Sequence, residues 1–451
     1  MADLDSMVQG LIIAGFALVL FLSGMPIAFA LAITALLSVV VFLGPAQFDL
    51  FGKMVFDSVN DFGLLAIPLF VLMGNLFGGS QASRQLFEAG EAWLSRIRGG
   101  LAMSSVAAST MFAALTGSSP ATAAAVGRVA IPEMEARGYS PRISTGAIAA
   151  GGTLGILIPP SVTLILYGIA AEQSIGQLFA AGIVPGIVLA LMFCVWVFIA
   201  QTLDMRRADA AEVKSGGQAL KRAVKRYTWN ERITSLLKVI PFALLVGAIL
   251  IVLYRGIATP SEAAAIGALL VGIMVMGIYR GLTGRGLMDV LLDTTNQSTM
   301  ILLITAFSAV IATVMSYLRI PQDLAALVSD MELNRWVVLI IINIVLLVMG
   351  MFLPPVSIIV MVTPILLPLI LELGFDPIWF GIIMTINMEM GLITPPVGLN
   401  LFVLKGIAPQ IRLTEILRGS LPYIVVLGLA IVLFSVFPDI ITWLPEVLYS
   451  E

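Results

Sequence analysis

The apolar segment 143–170 contains a break that a continuous helix cannot cross. Three glycines precede a Pro-Pro pair in the run Gly-Gly-Thr-Leu-Gly-Ile-Leu-Ile-Pro-Pro-Ser, residues 151–161. Pro159 and Pro160 donate no backbone N–H, and a proline disfavours helical geometry at the residue before it. In hydrocarbon, a broken backbone persists only where protein or a water-filled cavity satisfies the freed polar groups. The segment therefore indicates either a functional break or a packing kink within a membrane helix.

The same pattern returns in the second half of the chain, at a spacing of 236 residues. A second break, Gly-Leu-Ile-Thr-Pro-Pro-Val-Gly-Leu-Asn, occupies residues 391–400. The glycines and prolines that match without a gap are Pro132 with Pro368, Gly138 with Gly374, Pro141 with Pro377, Gly155 with Gly391, Pro159 with Pro395 and Pro160 with Pro396. This number of matches indicates a duplicated unit. Broken helices at equivalent places in two halves are the sequence sign of a transporter's binding site.

The composition is that of a polytopic membrane protein. Of 451 residues, 59% are hydrophobic and only 11% are charged, and the mean hydropathy is +1.06. A soluble chain of this length needs far more charge to cover its surface. The chain has no His and a single Cys, Cys194, which excludes zinc sites and Cys–His nucleophiles. The net charge of -3 gives no indication of nucleic-acid binding.

Apolar segments predict an all-α fold with five membrane crossings in each half. The predicted crossings are 8–24, 26–43, 62–79, 143–170 and 174–202 in the first half, and 238–254, 259–279, 298–316, 377–404 and 413–437 in the second. Two further apolar segments, 99–131 and 334–371, are interrupted at their middles, so each fits a re-entrant hairpin or two full crossings. Residues 82–98 predict an amphipathic helix at the membrane interface. The predicted units are 1–202, a basic linker at 203–237, and 238–451.

The distribution of Lys and Arg predicts the topology. Residues 203–238 carry nine of these cations, which places the segment in the cytoplasm by the positive-inside rule. If both interrupted segments are hairpins, the cations outside are only Lys53, Arg255, Arg319 and Arg335. Five crossings per half then give the halves opposite orientations, as in inverted-repeat transporters. Both termini are expected on the outer, periplasmic side.

Helix breaks at mid-membrane depth provide oxygen ligands for a small cation. Backbone carbonyls at the breaks lack helical partners, and the hairpin tips and breaks add neutral side-chain oxygens. These belong to Thr116, Ser118, Ser119, Thr122, Thr153, Ser161, Ser357, Thr394 and Asn400. Without a carboxylate cluster, the set fits Na⁺ better than Ca²⁺. Each hydroxyl alone could equally bond to its own helix backbone, so the prediction rests on the convergence of four breaks.

Two charged residues are further candidates, and each has an alternative reading. Glu389 precedes the second break within a predicted crossing, and intramembrane ionisable residues are functional candidates by default. It fits a Na⁺ or H⁺ role, or a structural hydrogen bond to the unwound backbone. Arg319 could pair with a substrate carboxylate, or lie exposed at the interface near Asp323.

Five motifs together resemble the large membrane subunit of a tripartite ATP-independent periplasmic (TRAP) transporter. They are Gly-Met-Pro-Ile-Ala at 24–28, Ala-Ile-Pro-Leu-Phe at 66–70, Thr-Gly-Ser-Ser-Pro-Ala-Thr at 116–122, and the breaks at 155–161 and 391–400. The resemblance implies an elevator-type fold of the ion-transporter superfamily, with two inverted-topology repeats that each contain a re-entrant hairpin and a broken helix. It implies a non-enzymatic subunit of the bacterial or archaeal inner membrane, with no organic cofactor.

The resemblance also implies the substrate, the partners and the site residues. A periplasmic substrate-binding protein delivers a small organic anion, a carboxylate or sulfonate, and a separate small membrane subunit braces the large one. Uptake is coupled to two or more Na⁺ ions. The implied ligands of the first Na⁺ are Thr116, Ser118, Ser119, Gly155 and Pro159, and those of the second are Gly350, Phe352, Ser357, Gly391 and Thr394. The implied substrate-binding residues are Ser118, Ser119, Pro120, Pro160, Ser161, Arg319, Pro355, Val356, Ser357, Pro396 and Asn400.

Two other functions are open to the same sequence. The inverted repeat also fits a stand-alone Na⁺-coupled anion carrier of the wider ion-transporter superfamily, which would need no small subunit. An intramembrane protease needs a Ser–His or Ser–Lys pair, an Asp pair or a zinc motif, and the predicted crossings contain none of these.

Overall fold

The computed structural model describes residues 5–215, 227–277 and 284–449. Every regular element within these ranges is helical, which confirms the predicted all-α class. The first half contains α1 (Ser6–Leu22), α2 (Ile27–Ser38), α3 (Phe48–Val59), α4 (Ala66–Gly78), α5 (Ala82–Leu94), α6 (Gly100–Thr116), α7 (Ser119–Ala136), α8 (Pro141–Leu157), α9 (Val162–Ala170) and α10 (Ile175–Ser215). The second half contains α11 (Trp229–Tyr254), α12 (Pro260–Gly277), α13 (Gly284–Tyr317), α14 (Ile320–Asp330), α15 (Arg335–Gly350), α16 (Pro355–Glu372), α17 (Pro377–Leu392), α18 (Leu399–Ile407), α19 (Leu413–Val436) and α20 (Asp439–Tyr449).

The order of elements repeats at the spacing that the sequence predicts. Helices α7 and α16 begin at Ser119 and Pro355, and α8 and α17 begin at Pro141 and Pro377, 236 residues apart in both cases. Each interrupted apolar segment forms two helices joined by a short turn, α6–α7 and α15–α16. Each Pro-Pro pair separates two helices, α8–α9 and α17–α18. The opposite orientation of the halves and the hairpin topology stay predictions.

Some elements differ from the sequence prediction. Helices α3 and α20, which are short and amphipathic, lie outside the predicted segments. Helix α10 runs to Ser215, beyond the predicted end of its crossing, and residues 216–226 of the predicted linker lie outside the described ranges. Helix α3 and the segment that ends in α4 meet at a bend of 59°, whereas the equivalent stretch of the second half is the continuous helix α13. The two halves are therefore not identical in shape.

Helix length and hydropathy agree with a multi-pass membrane protein. Among the described residues, six helices are long and apolar enough to cross a membrane, or up to eight if each bent pair is one span. Large apolar side chains remain exposed along these helices; Ile187, Leu191 and Val195 form such a row on α10. Their spacing of four residues places them on one helix face, where lipid tails would cover them. The number of ten crossings stays a prediction.

The two broken helices form the centre of the molecule. In α8 every residue from Ile143 to Leu157 is buried, and in α17 every residue from Trp379 to Leu392 is buried. A helix that is apolar and enclosed on all sides belongs to a core. Glycines in α8 allow the neighbouring backbone to approach closely: a Cβ atom on Gly152 would lie 3.0 Å from the Ser119 carbonyl oxygen.

Helices of the two halves contact each other around this centre. Helix α8 packs on α19, α18 packs on α7, and α16 packs on α9. Arg142 donates two hydrogen bonds to Glu415, at 2.6 and 3.3 Å, and the Tyr167 hydroxyl donates to the Pro377 carbonyl at 2.6 Å. The halves are therefore interleaved rather than laid side by side.

Candidate functional site

The first hairpin tip is a two-residue turn between α6 and α7. Gly117 ends α6 in the left-handed region, at φ 54°, which glycine adopts without a Cβ clash. The Ser118 hydroxyl caps α7 by accepting a hydrogen bond from the Ala121 N–H at 3.4 Å, and Pro120 lies in the first turn, where it is tolerated. The hydroxyls of Thr116 and Thr122 are 2.9 Å apart. The sequence thus forms a tip whose oxygens lie close together.

The first tip packs against the first break. A Cβ atom on Gly155 would lie 3.4 Å from the Thr122 hydroxyl oxygen and 3.5 Å from the Ser118 carbonyl carbon, and one on Gly117 would lie 3.5 Å from the Pro160 carbonyl oxygen. The Pro159–Pro160 peptide bond is cis, and α9 begins at Val162, after its N-cap residue Ser161. The structure therefore brings together the tip and the break to which the first predicted Na⁺ site belongs.

The second tip packs against the second break even more closely. A Cβ atom on Gly391 would lie 2.5 Å from the Gly350 carbonyl carbon, so the two backbones are in contact. The Gly398 N–H donates to the Met351 carbonyl at 3.3 Å. Ser357, which is buried, has a hydroxyl without a hydrogen-bond partner among the described residues. The second junction thus offers backbone oxygens, and the second tip carries one buried hydroxyl without a partner among the described residues.

Thr394 and Phe352, the other two non-glycine residues implied as ligands of the second Na⁺, differ in their surroundings. The Thr394 hydroxyl donates to the Met390 carbonyl at 2.6 Å, which is the bond to its own helix that the sequence analysis left open. Phe352 is 41% exposed at the tip. The Pro395–Pro396 peptide bond is cis, as at the first break, but Pro396 is exposed whereas Pro160 is buried.

A cavity of about 450 Å³ lies between the two tips. The tips contribute Thr116 to Ala121 and Pro354 to Val356, and the facing wall, from α4 and α13, contributes Val71, Asn75, Gln297, Met300, Ile301 and Ile304. The described residues that line the cavity include no Lys, Arg, Asp or Glu. The N-termini of α7 and α16 lie at the tips, and a helix N-terminus carries a partial positive charge. An anion in this cavity would therefore meet helix ends and hydroxyls rather than a charged side chain.

Part of the predicted substrate set lines this cavity. Ser118, Ser119, Pro120, Pro355 and Val356 do so, whereas Pro160, Ser161, Ser357, Pro396 and Asn400 do not. The Ser161 hydroxyl instead caps α9, accepting from the Leu164 N–H at 3.3 Å. Arg319 is exposed before α14, with a φ of 59°, and is not among the lining residues. Its part in substrate binding stays a prediction.

Asn75 and Gln297 line the cavity, and the sequence analysis did not single them out. The Asn75 side chain donates to the Thr294 hydroxyl at 3.1 Å, which joins α4 to α13. The available signals were an amide within an apolar segment at Asn75 and, at Gln297, a polar run directly before the predicted crossing 298–316. These signals are weak because polar residues in membrane helices also serve helix packing.

One hydrogen bond joins the first tip to the second break. The Asn400 amide donates to the Ser119 hydroxyl at 2.7 Å, and both side chains are fully buried. The Glu389 side chain, 2% exposed, faces the same hydroxyl. The described structure thus places a carboxylate beside the first tip, although the sequence separates them by more than half of the chain.

A larger cavity of about 640 Å³ lies away from the tips, between α5, α7 and α11. Its lining carries both signs of charge, with Arg84, Arg128, Arg137 and Lys238 beside Glu88, Glu91, Glu133 and Glu231. Neither Pro-Pro break is among the described residues that line it. The cavity between the tips is therefore the better candidate for transport.

The model of the DctM component of tripartite ATP-independent periplasmic transporters matches residues 14–440, nearly the whole chain. The chain belongs to this family. This membership confirms the resemblance that the five motifs indicate. The family consists of transporter permease subunits rather than enzymes.

Three relatives illustrate the range of the family. The large permease protein DctM of the C4-dicarboxylate TRAP transporter of Pseudomonas aeruginosa is 39% identical over 87% of this chain and 88% of the relative. The isethionate TRAP transporter permease protein DctMQ of Oleidesulfovibrio alaskensis is 32% identical over 94% of this chain and 64% of that longer protein. The sialic acid TRAP transporter large permease protein SiaM of Vibrio cholerae is 29% identical over 95% of this chain and 96% of the relative.

Solved structures of transporters share the fold. The YdaH transporter of Alcanivorax borkumensis superposes with a TM-score of 0.60 at 16% identity, covering 88% of this chain and 90% of its own. MtrF of Neisseria gonorrhoeae, from a class of antimetabolite efflux pumps, superposes with a TM-score of 0.52 at 14% identity. The superposition covers 87% of this chain and 83% of MtrF. At these identities the similarity concerns the arrangement of helices alone.

Proposed function

We propose that this chain is the transport subunit of a Na⁺-coupled importer of a small organic anion. The named substrates of its relatives, C4-dicarboxylates, isethionate and sialic acid, are all organic acids. Their range supports the substrate class, a carboxylate or sulfonate, rather than one compound. The substrate would lie in the cavity between the tips, against Ser118, Ser119 and Pro355.

The geometry of the two junctions supports Na⁺ as the coupling ion. At each junction a hairpin tip touches the backbone of a break, Ser118 at Gly155 and Gly350 at Gly391. Backbone carbonyls and hydroxyls are neutral oxygen ligands, which suit a monovalent cation. The Ser357 hydroxyl at the second tip, which has no partner among the described residues, is one free ligand of this kind. Bound cations would also compensate the charge of an anion in a cavity lined by no charged side chain.

The proposed function includes partners and an elevator motion. Membership of the family supports a periplasmic binding protein that delivers the anion, and a small membrane subunit that braces the chain in the inner membrane. The tips and breaks would move as one body against helices such as α4 and α13, because substrate and ion ligands must stay together during transport. Both termini would lie in the periplasm.

One observation carries the proposal: two equivalent tip–break junctions face a single cavity at the centre of a TRAP permease fold. The test is uptake into proteoliposomes with candidate binding proteins, loaded with succinate, isethionate or sialic acid, in the presence and absence of an inward Na⁺ gradient. We expect uptake of one anion that needs both the Na⁺ gradient and a binding protein. Equal uptake without the gradient would exclude Na⁺ coupling. Uptake without a binding protein would instead favour the stand-alone carrier.

A further inference from the structure

Glu389 is a buried carboxylate that neither of the predicted Na⁺ sites uses. It lies on α17 at the centre of the fold and is 2% exposed. Neither of its carboxylate oxygens has a hydrogen-bond partner among the residues that the structure describes. The Ser119 hydroxyl faces the carboxylate, but the geometry falls short of a hydrogen bond. An ionised carboxylate in this position is costly unless a proton or a cation neutralises it.

The amide oxygen of Asn400 is a third buried acceptor without a hydrogen-bond partner among the described residues. The amide nitrogen of the same side chain donates to the Ser119 hydroxyl at 2.7 Å. Ser119 is therefore the common neighbour of two side chains with three unsatisfied acceptor oxygens. Its hydroxyl can donate to one of them. Protonation of Glu389 would turn one carboxylate oxygen into a donor, which leaves two acceptors for two donors. A bound cation would neutralise the carboxylate without that proton and can be coordinated by carboxylate, amide and hydroxyl oxygens.

We propose that Glu389, Asn400 and Ser119 form a third monovalent cation site, at the junction of the first hairpin tip with the second broken helix, with the Ser119 hydroxyl shared with the first predicted Na⁺ site. The ligands are one carboxylate, one amide oxygen and one hydroxyl, a set that suits Na⁺. Within the described ranges, no group of three or more His, Cys, Asp or Glu that could hold a metal ion comes together, so a divalent ion has no comparable set. This inference rests on the proposed Na⁺-coupled function and assigns it a further coupling ion.

The position of this site explains how an ion could control anion binding. Ser119 also lines the cavity, so the carboxylate lies just beyond the cavity wall. While the site is empty, the negative charge of Glu389 opposes an anionic substrate, and the lining offers no Lys or Arg to offset it. A bound cation cancels this charge. The cation and the anion would therefore bind cooperatively, each raising the affinity for the other by the same factor.

The test is equilibrium binding of radioactive Na⁺ to the purified full chain, with choline as the replacing cation. We expect Glu389→Gln to bind about one Na⁺ per chain fewer than the wild type. Glu389→Asp keeps the charge and is expected to restore the number of ions at an affinity weaker by about fivefold to tenfold, a loss of roughly 1 kcal/mol. The matched control is Glu262→Gln, because Glu262 is an exposed carboxylate that caps the start of α12.

The outcomes separate this inference from the proposed function. Wild-type protein that binds no Na⁺ would remove both. Na⁺ binding by Glu389→Gln that matches the wild type in number and affinity would overturn the third site alone, and would assign the neutralising charge to a proton. Melting temperature and gel filtration check that each variant is folded. If Glu389→Gln does not fold, Asn400→Ala takes its place, with weaker binding of one Na⁺ expected and unchanged binding overturning the site.

Discussion

The contact between Gly350 and Gly391 is the closest approach of a hairpin tip to a break. The equivalent contact in the first half, at Gly155, is looser: an added Cβ atom would lie 3.2 Å from the Ala113 Cβ atom and 3.4 Å from the Thr122 hydroxyl oxygen. At Gly391 an added Cβ atom would lie 2.5 Å from backbone that cannot move aside. The second junction therefore tolerates no side chain at this position, whereas the first would need its neighbours to shift by a few tenths of an ångström.

Gly391→Ala is expected to separate the second tip from the second break. The overlap should destabilise the protein by about 1–3 kcal/mol and abolish Na⁺-dependent uptake. The matched control is Gly406→Ala in the following helix, where an added Cβ atom meets nothing within 4 Å; there the change should be neutral or raise stability by up to about 1 kcal/mol. Thermal unfolding in detergent and uptake assays measure both effects. Equal behaviour of the two variants would contradict the packing argument.

Ser119→Ala and Thr394→Ala are expected to raise the Na⁺ concentration for half-maximal uptake. Ser119 should show the larger effect, about fivefold to tenfold for roughly 1 kcal/mol, because its loss also leaves the buried Asn400 amide without its acceptor. The Thr394 hydroxyl bonds its own helix, so its loss should matter less. Ser104→Ala is the control, since this buried hydroxyl also bonds its own helix, at the Gly100 carbonyl, but lies away from both tips. Unaltered Na⁺ dependence in both test variants would remove the site assignment.

At the scale of elements, the breaks were predictable and their partners were not. Proline and glycine act on the local backbone, so the sequence alone placed the ends of α8 and α17 and the starts of α7 and α16. The bond between Asn400 and Ser119 depends on how helices far apart in sequence pack, which no local pattern encodes. Helix α3 was missed because Asp49, Lys53 and Asp57, spaced by four on one helix face, leave no continuous apolar run long enough to predict a crossing.

The amphipathic helix α5 is held to the end of α7 by an ion pair. Arg137 and Glu91 approach to 2.6 Å, and the Glu91 side chain is 5% exposed. Removing one partner of a buried pair leaves an uncompensated charge. The pair Arg84–Glu88, on the same helix, is 3.1 Å long but has side chains that are 69% and 43% exposed.

Arg137→Ala is accordingly expected to destabilise the protein by about 3 kcal/mol, the lower end for buried pairs because Arg137 retains some solvent contact. Arg84→Ala should cost about 0–1 kcal/mol, as for an exposed pair. Thermal unfolding of the two variants under the same detergent conditions compares them directly. A larger effect at Arg84 than at Arg137 would show that α5 is anchored in another way.

At the scale of the whole molecule, the sequence predicted the family. The composition and the five motifs were sufficient for this because each depends on residue identity alone. The side of the membrane that each segment faces is predicted from the distribution of Lys and Arg. This prediction does not depend on the family.

A cysteine placed near residue 215, in a background where Cys194 is replaced by Ala, should react only with reagents that enter the cytoplasm. The basic segment 203–238 is the physical reason, since Lys and Arg resist transfer across the membrane. Labelling of intact cells with permeant and impermeant maleimides measures this. A cysteine near residue 57, close to the outer cation Lys53, provides the opposite control. Labelling near residue 215 by the impermeant reagent would invert the topology.

The hydrogen bond from Asn400 to Ser119 links one half of the chain to the other at its most enclosed point. Replacement of either residue alone leaves the other as a buried polar group without its partner, at a cost of about 1–3 kcal/mol. Chimaeras that take one half from this chain and the other from a relative without a matching pair should therefore be less stable by about that amount. A substitution at either position calls for a compensating change at the other, in the opposite half of the chain.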